Sequence, residues 1–93
     1  MRRRVIVHGL VQGVFFRDTV RRQAQSRSVA GWVRNLDSGD VEAVFEGPRE
    51  VVEGMLRWCQ QGPPGAWVRH VEVTLDEPPE HLREFEIRRT ALR

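Results

Sequence analysis

Apolar residues along this chain recur first at every second position, then at helical spacing, then at every second position again. That succession limits the folds open to the chain more than any one motif does. Val5, Val7, Gly9 and Val11 share one parity, the mark of a strand. Asp18-Thr19 supplies acidic and polar residues suited to a helix start, and Val20 and Ala24 form a narrow apolar stripe on a helix running to about Ser28. Val29 to Leu36 reads as a second strand. Asp37-Ser38-Gly39-Asp40 is a turn cluster, and Val41, Ala43 and Phe45 alternate beyond it, so the two strands make a hairpin.

The pattern then repeats. Gly47-Pro48 closes the hairpin and places proline near a helix start. Val51, Val52, Met55, Leu56 and Cys59 give the second helix its stripe. Gly54 inside it costs about 1 kcal/mol relative to alanine, which predicts a close approach by a neighbouring element. Gly62-Pro63-Pro64-Gly65 breaks the chain. Trp67, Arg69, Val71, Val73 and Leu75 then read as a fourth strand on one parity. Glu77-Pro78-Pro79 opens a loop, and Phe85 and Ile87 alternate in a short last strand. The order is β-α-β-β-α-β with a short C-terminal strand. Its natural solution is an α+β, ferredoxin-like split βαβ sandwich, an antiparallel sheet with both helices on one face. At 93 residues, one domain spanning 1–93 is expected.

Composition excludes several classes. The formal net charge is +2 although the pI is about 9.9, because all fifteen basic residues are arginine, so the pI does not signal a polyanion-binding patch. One cysteine, Cys59, leaves no internal disulfide and no multi-cysteine metal site, and its place on a helical stripe makes it a core thiol. His8, His70 and His81 lack metal-ligand spacing, so they read as structural or solvent-facing and no metal or cofactor is expected. Val5 to Val11 is broken by His8 and Gly9, too short for a secretion signal or a membrane span; the chain reads as cytoplasmic.

The chemistry concentrates in Gly9-Leu10-Val11-Gln12-Gly13-Val14-Phe15-Phe16-Arg17. A strand that enters a glycine-bracketed turn and then a helix points successive backbone N–H groups at one place, an anion site. Arg17 adds a planar fork of donors that matches phosphate oxygens. Gly31-Trp32-Val33-Arg34-Asn35 sets a lone amide at the end of the second apolar run. Taken singly, these pieces have plainer readings: Gly9 and Gly13 as a bulge and a turn, Arg17 as a solvated arginine, Asn35 as a turn residue. Phe15 and Phe16 read as packing residues whose amides matter. Trp32, Trp58 and Trp67 read as core or sheet-face residues.

Four segments carry a family resemblance in register: Val11 to Arg17, Gly31 to Asn35, Val41 to Gly47, and Gly62 to Ala66. Their order and spacing resemble the acylphosphatases over roughly residues 5 to 75. The resemblance implies a metal-free hydrolase that splits the carboxyl–phosphate anhydride of a small acyl phosphate, with inorganic phosphate as product and inhibitor. It implies that Arg17 and the backbone amides of Gly13, Val14, Phe15, Phe16 and Arg17 bind the phosphoryl group and that Asn35 positions the attacking water. No nucleic-acid or membrane partner is implied, and a monomer is expected. Two positions depart from the family pattern. Ser28 stands where glycine is usual, at a junction that would suit a left-handed helix cap, and Asp18 brings a carboxylate beside the anion site.

Two other functions fit the element order. An RNA-recognition module would need aromatic rings on the exposed faces of its first and third strands. Here those faces would show Ile6, His8 and Leu10, and Glu42, Val44 and Glu46, a poor platform for a polyanion. A catalytically idle acylphosphatase-like domain serving binding or regulation would accompany a larger enzyme. With nothing following Arg93, a free-standing hydrolase is expected.

Overall fold

The computed structural model describes residues 1–75 and 78–92, so Glu77 of the expected loop and the terminal Arg93 lie outside the described residues. Seven elements follow the expected order: β1 (Arg2–Leu10), α1 (Phe16–Ser26), β2 (Ala30–Asn35), β3 (Val41–Glu46), α2 (Arg49–Gln61), β4 (Trp67–Thr74) and β5 (Phe85–Ile87). They build one five-stranded sheet in the order β4-β1-β3-β2-β5. The four longer strands pair antiparallel. β5 joins β2 in parallel and makes the sheet mixed.

Register decides what each face carries. Val5 lies opposite Ala43, and Ala43 opposite Val33, so these side chains share the face on which both helices pack. With Val7, Val20, Ala24, Phe45, Val52 and Met55 they form the core. Cys59 is buried there, and burial pushes its thiol up to about 12, so it stays protonated and inert.

The other face is closed by charge rather than by a helix. Glu42 is buried and accepts from Arg4 Nε and Arg34 Nε, each at 2.6 Å. The Trp32 ring lies between the guanidinium groups of Arg34 and Arg88, whose carbons sit 4.8 and 4.7 Å from its centroid. Arginines thus serve as the lid that apolar side chains would otherwise form.

Three expectations shift. α1 begins at Phe16, two residues before Asp18-Thr19, because Phe15 turns into the left-handed region (φ 58°) and its carbonyl accepts from both the Thr19 amide (3.0 Å) and the Thr19 hydroxyl (2.8 Å). Phe15 accordingly does not pack: it is 82% exposed. Phe16 does pack, tilted against Trp58 at 5.8 Å.

The third shift is in β4. Its pairing with β1 changes register between His8 and Gly9, a β-bulge that opposes Gly9 to Val68 and Leu10 to Trp67. Val68 therefore takes the helix-side position, and Trp67 turns out to solvent. Gly9 permits this, since a Cβ there would meet the Trp67 carbonyl oxygen at 2.0 Å. Gly54 also answers its expectation, with Arg27 Nη1 only 2.5 Å from where a Cβ would stand.

Candidate active site

β1 and β2 both run antiparallel to β3, so their C-terminal ends lie at one edge of the sheet. The loop leaving β1 and the last residue of β2 are therefore neighbours although β3 separates the strands. Asn35 pairs with Val41 and so shares the helix-side face with Val33 and Ala43. Its side chain and the start of α1 consequently meet on the same side of the sheet. Both border a cleft of about 320 Å³ that Gly13, Phe15, Arg17, Asp18, Asn35 and Ile87 help to line.

The start of α1 is left open. No side chain caps it, and among the described residues none of the amides from Gly13 to Arg17 donates to a backbone acceptor. Gly13 (φ 76°) and Phe15 (φ 58°) are both left-handed, which curves the loop into a concave run of N–H groups at the positive end of the helix. Unpaired donors in such a place are stabilised by an anion.

Arg17, the second residue of α1, borders the cleft and makes no hydrogen bond or ion pair with a described residue, which leaves its fork available. Asp18 is engaged instead: it takes Arg21 at 2.5 Å and Arg22 at 2.6 Å, one turn along. Three guanidinium groups against one carboxylate keep this helix start positive. Val14 is the one residue of the expected cradle that does not line the cleft; its side chain packs against the core.

Two residues without an expected site role belong to the neighbourhood. Ile87 borders the cleft because β5 pairs in parallel beside Val33, a placement that short-range patterning does not show. Gln12 joins the two halves of the site: its Nε2 donates to the carbonyls of Leu36 at 2.8 Å and Asp40 at 2.9 Å. Its place between Val11 and Gly13 was the available signal. From the other side, the Ala91 amide donates to the Asn35 carbonyl at 3.0 Å.

The histidines fall outside this cleft. His8 lies between Asp40 (Nδ1 to Oδ2, 3.0 Å) and Glu72 (Nε2 to Oε1, 2.8 Å) and stacks on His70. His81 donates its amide to Glu46. Among the described residues no cluster of three or more histidine, cysteine or acidic residues could hold a metal ion, and no helix is long and apolar enough to cross a membrane.

Comparison with known proteins gives a consistent result. The acylphosphatase family profile matches residues 3–87. An acylphosphatase of Natronomonas pharaonis is 54% identical over 89 residues, which cover 96% of each chain. The crystal structure of acylphosphatase from Bacillus subtilis superposes with a TM-score of 0.88 at 38% identity, covering 92% of this chain and 96% of that one. A full-length HypF, solved in a phosphate- and nucleotide-bound form, contains a similar unit: TM-score 0.89 and 27% identity over 98% of this chain, but only 12% of its own.

Proposed function

This chain belongs to the acylphosphatase family, and on that premise we propose that Arg17 and the amides of Gly13 to Arg17 bind the phosphoryl group while Asn35 orients the attacking water. The protein is an acyl phosphate hydrolase. The observation that carries the assignment of roles is the pairing, across one cleft, of an uncapped helix start bearing Arg17 with Asn35, neither of whose side chains bonds to a described residue.

The chemistry suits so spare a site. Water oxygen bonds to phosphorus, the bond from phosphorus to the carboxylate oxygen breaks, and a water proton passes to a phosphoryl oxygen. A dianionic acyl phosphate then yields a carboxylate and dihydrogen phosphate. The leaving carboxylate has a conjugate-acid pKa of about 4 and departs without a general acid. What remains is to hold the phosphoryl oxygens, stabilise the charge spread over them and keep the water in line. Arg17 and the amides supply the first two. Asn35 supplies the third through its amide, which both donates and accepts but is no base, so the proton's destination is the substrate itself.

No step needs a metal ion. The same reading takes inorganic phosphate as product and competitive inhibitor. It includes a cytoplasmic monomer with no nucleic-acid partner. The side of β1 and β3 away from the helices supports the last point, since it carries no phenylalanine, tyrosine or tryptophan on which a base could stack. The reading as a catalytically idle module is not favoured, because the relatives matched over most of their own length are acylphosphatases.

The test is a phosphate titration of two folded variants beside their kinetics. Arg17→Gln should lose both phosphate affinity and turnover. Asn35→Ala should keep phosphate affinity and lose kcat by about 10²-fold, the usual cost of one positioning interaction. Equal loss of phosphate affinity in both variants, or near-normal turnover in Asn35→Ala, would overturn the division of roles.

A further inference from the structure

The Gln12 side chain ends in an amide nitrogen with two hydrogens, and both are spent on backbone carbonyls of one hairpin. Nε2 lies 2.8 Å from the Leu36 oxygen and 2.9 Å from the Asp40 oxygen. Those two carbonyls close the β2–β3 turn: Leu36 N–H donates to Asp40 at 2.9 Å, and Gly39 N–H donates to Leu36 at 3.1 Å. Leu36 directly follows Asn35, and Gln12 directly precedes Gly13. One half-buried side chain therefore ties the backbone that begins the phosphate cradle to the backbone that carries the water-orienting amide.

We infer that Gln12 is a positioning residue for hydrolysis, fixing the height and direction of Asn35 relative to the cradle. This rests on the role proposed for Asn35. The physical need is clear from the topology. The cradle and Asn35 belong to different strands with β3 between them, so the sheet alone sets their separation only through two ladders. Both loops leave the same end of the sheet, and an error of about 1 Å in placing a water can cost on the order of 10²-fold in rate. Gln12 joins them by a direct link. An amide suits the task because it offers two donors to two acceptors without adding charge beside an anion site. Glutamate at this position would turn a carboxylate toward two carbonyl oxygens.

The decisive experiment is a double-mutant cycle between Gln12→Met and Asn35→Ala, with phosphate affinity measured in every variant. Methionine keeps the length of the side chain and lacks the donors. Gln12→Met should lower kcat by about tenfold with phosphate affinity within about twofold of the parent, since only the water is misplaced. In the Asn35→Ala background the same change should have almost no further effect on kcat. Gln12→Glu should behave like Gln12→Met or worse.

An undiminished effect of Gln12→Met on kcat in the Asn35→Ala background would overturn the inference, because a residue acting through Asn35 cannot act without it. A fall in phosphate affinity in step with kcat would also overturn it, by placing Gln12 on the phosphoryl group. If Asn35→Ala alone kept its turnover, the prior assignment of Asn35 would be what failed. Phosphate binding by each variant also reports that it is folded.

Discussion

The amide of Val29 donates to the carbonyl of Ala24 at 2.9 Å, and the turn that lets it reach back passes through Ser28 at φ 56°. Ser28 N–H donates to Gln25 at 3.2 Å. These two bonds, with Ala24 and Val29 both buried, make a Schellman closure whose left-handed position is normally glycine. A serine Cβ in that region costs about 1–2 kcal/mol, partly offset by the greater freedom glycine has when unfolded. Ser28→Gly should therefore stabilise the protein by about 1 kcal/mol, raising the melting temperature by roughly 4–8 °C for a domain of this size. A denaturation midpoint that stays put or falls, with the slope unchanged, would refute the strain.

Glu46 makes an acid-sensitive latch. Its carboxylate accepts the amides of Glu80 (2.7 Å), His81 (3.1 Å) and Leu82 (2.7 Å), pinning the segment that leads into β5. Burial raises its pKa, but those three amides and the charge of Arg2 outweigh burial and leave it below the ordinary value of 4.5. A carboxylate depressed on folding stabilises fully above its unfolded pKa, and that stability is lost as pH falls through the folded value. Stability should thus decline below about pH 4.5. Glu46→Gln should be less stable at pH 7 by about 1–3 kcal/mol and should flatten that decline. Chemical denaturation at pH 7 and pH 3.5 checks both; parallel losses in parent and variant would remove Glu46 as the cause.

Sequence carried the element order, most of the helix-side core and the cleft residues Gly13, Phe15, Phe16, Arg17 and Asn35, because each follows from local period or from contiguous glycine, arginine and asparagine. What it did not carry depends on partners far along the chain. The exposure of Trp67 follows from a bulge set by Gly9 on another strand. The left-handed Phe15 moves the helix start forward, although phenylalanine carries no signal for that conformation. Ile87 reaches the cleft only through parallel pairing with β2, and Gln12 has a role only once the hairpin folds over it. Asp18 stood in the sequence as a liability to anion binding; the ion pairs with Arg21 and Arg22 show how it is held in check.

Asp18 can be tested directly. Two like unit charges about 7 Å apart repel by roughly 0.6 kcal/mol in a water-like medium, about threefold in affinity, which sets the scale for a carboxylate lining the cleft. Asp18→Asn should tighten phosphate binding by about that factor. It should cost at most about 1 kcal/mol of stability, since its two pairs are partly exposed and an acidic group suits the first turn of a helix. Isothermal titration at low salt, compared with 0.5 M salt, separates the effects: the gain should shrink on screening. Weaker phosphate binding in Asp18→Asn would mean that the carboxylate orders the cradle rather than opposing its ligand.

Phosphate should act on the folded protein alone, because the open amides of Gly13 to Arg17 exist as a cradle only when β1 and α1 are in place. Inorganic phosphate at a hundred times its Kd should then add about 2.7 kcal/mol to stability by mass action. The same phosphate should raise KM for benzoyl phosphate in proportion to its concentration and leave kcat unchanged. Arg17→Lys keeps the charge but offers a point donor where a planar fork faces two oxygens, so it should retain only a small part of the thermal protection. Prolonged treatment with EDTA should change neither hydrolysis nor protection, since the leaving carboxylate needs no Lewis acid. Activity lost to the chelator and restored by a divalent ion would require a different mechanism. Protection that survived intact in Arg17→Lys would assign phosphate binding to the amides alone.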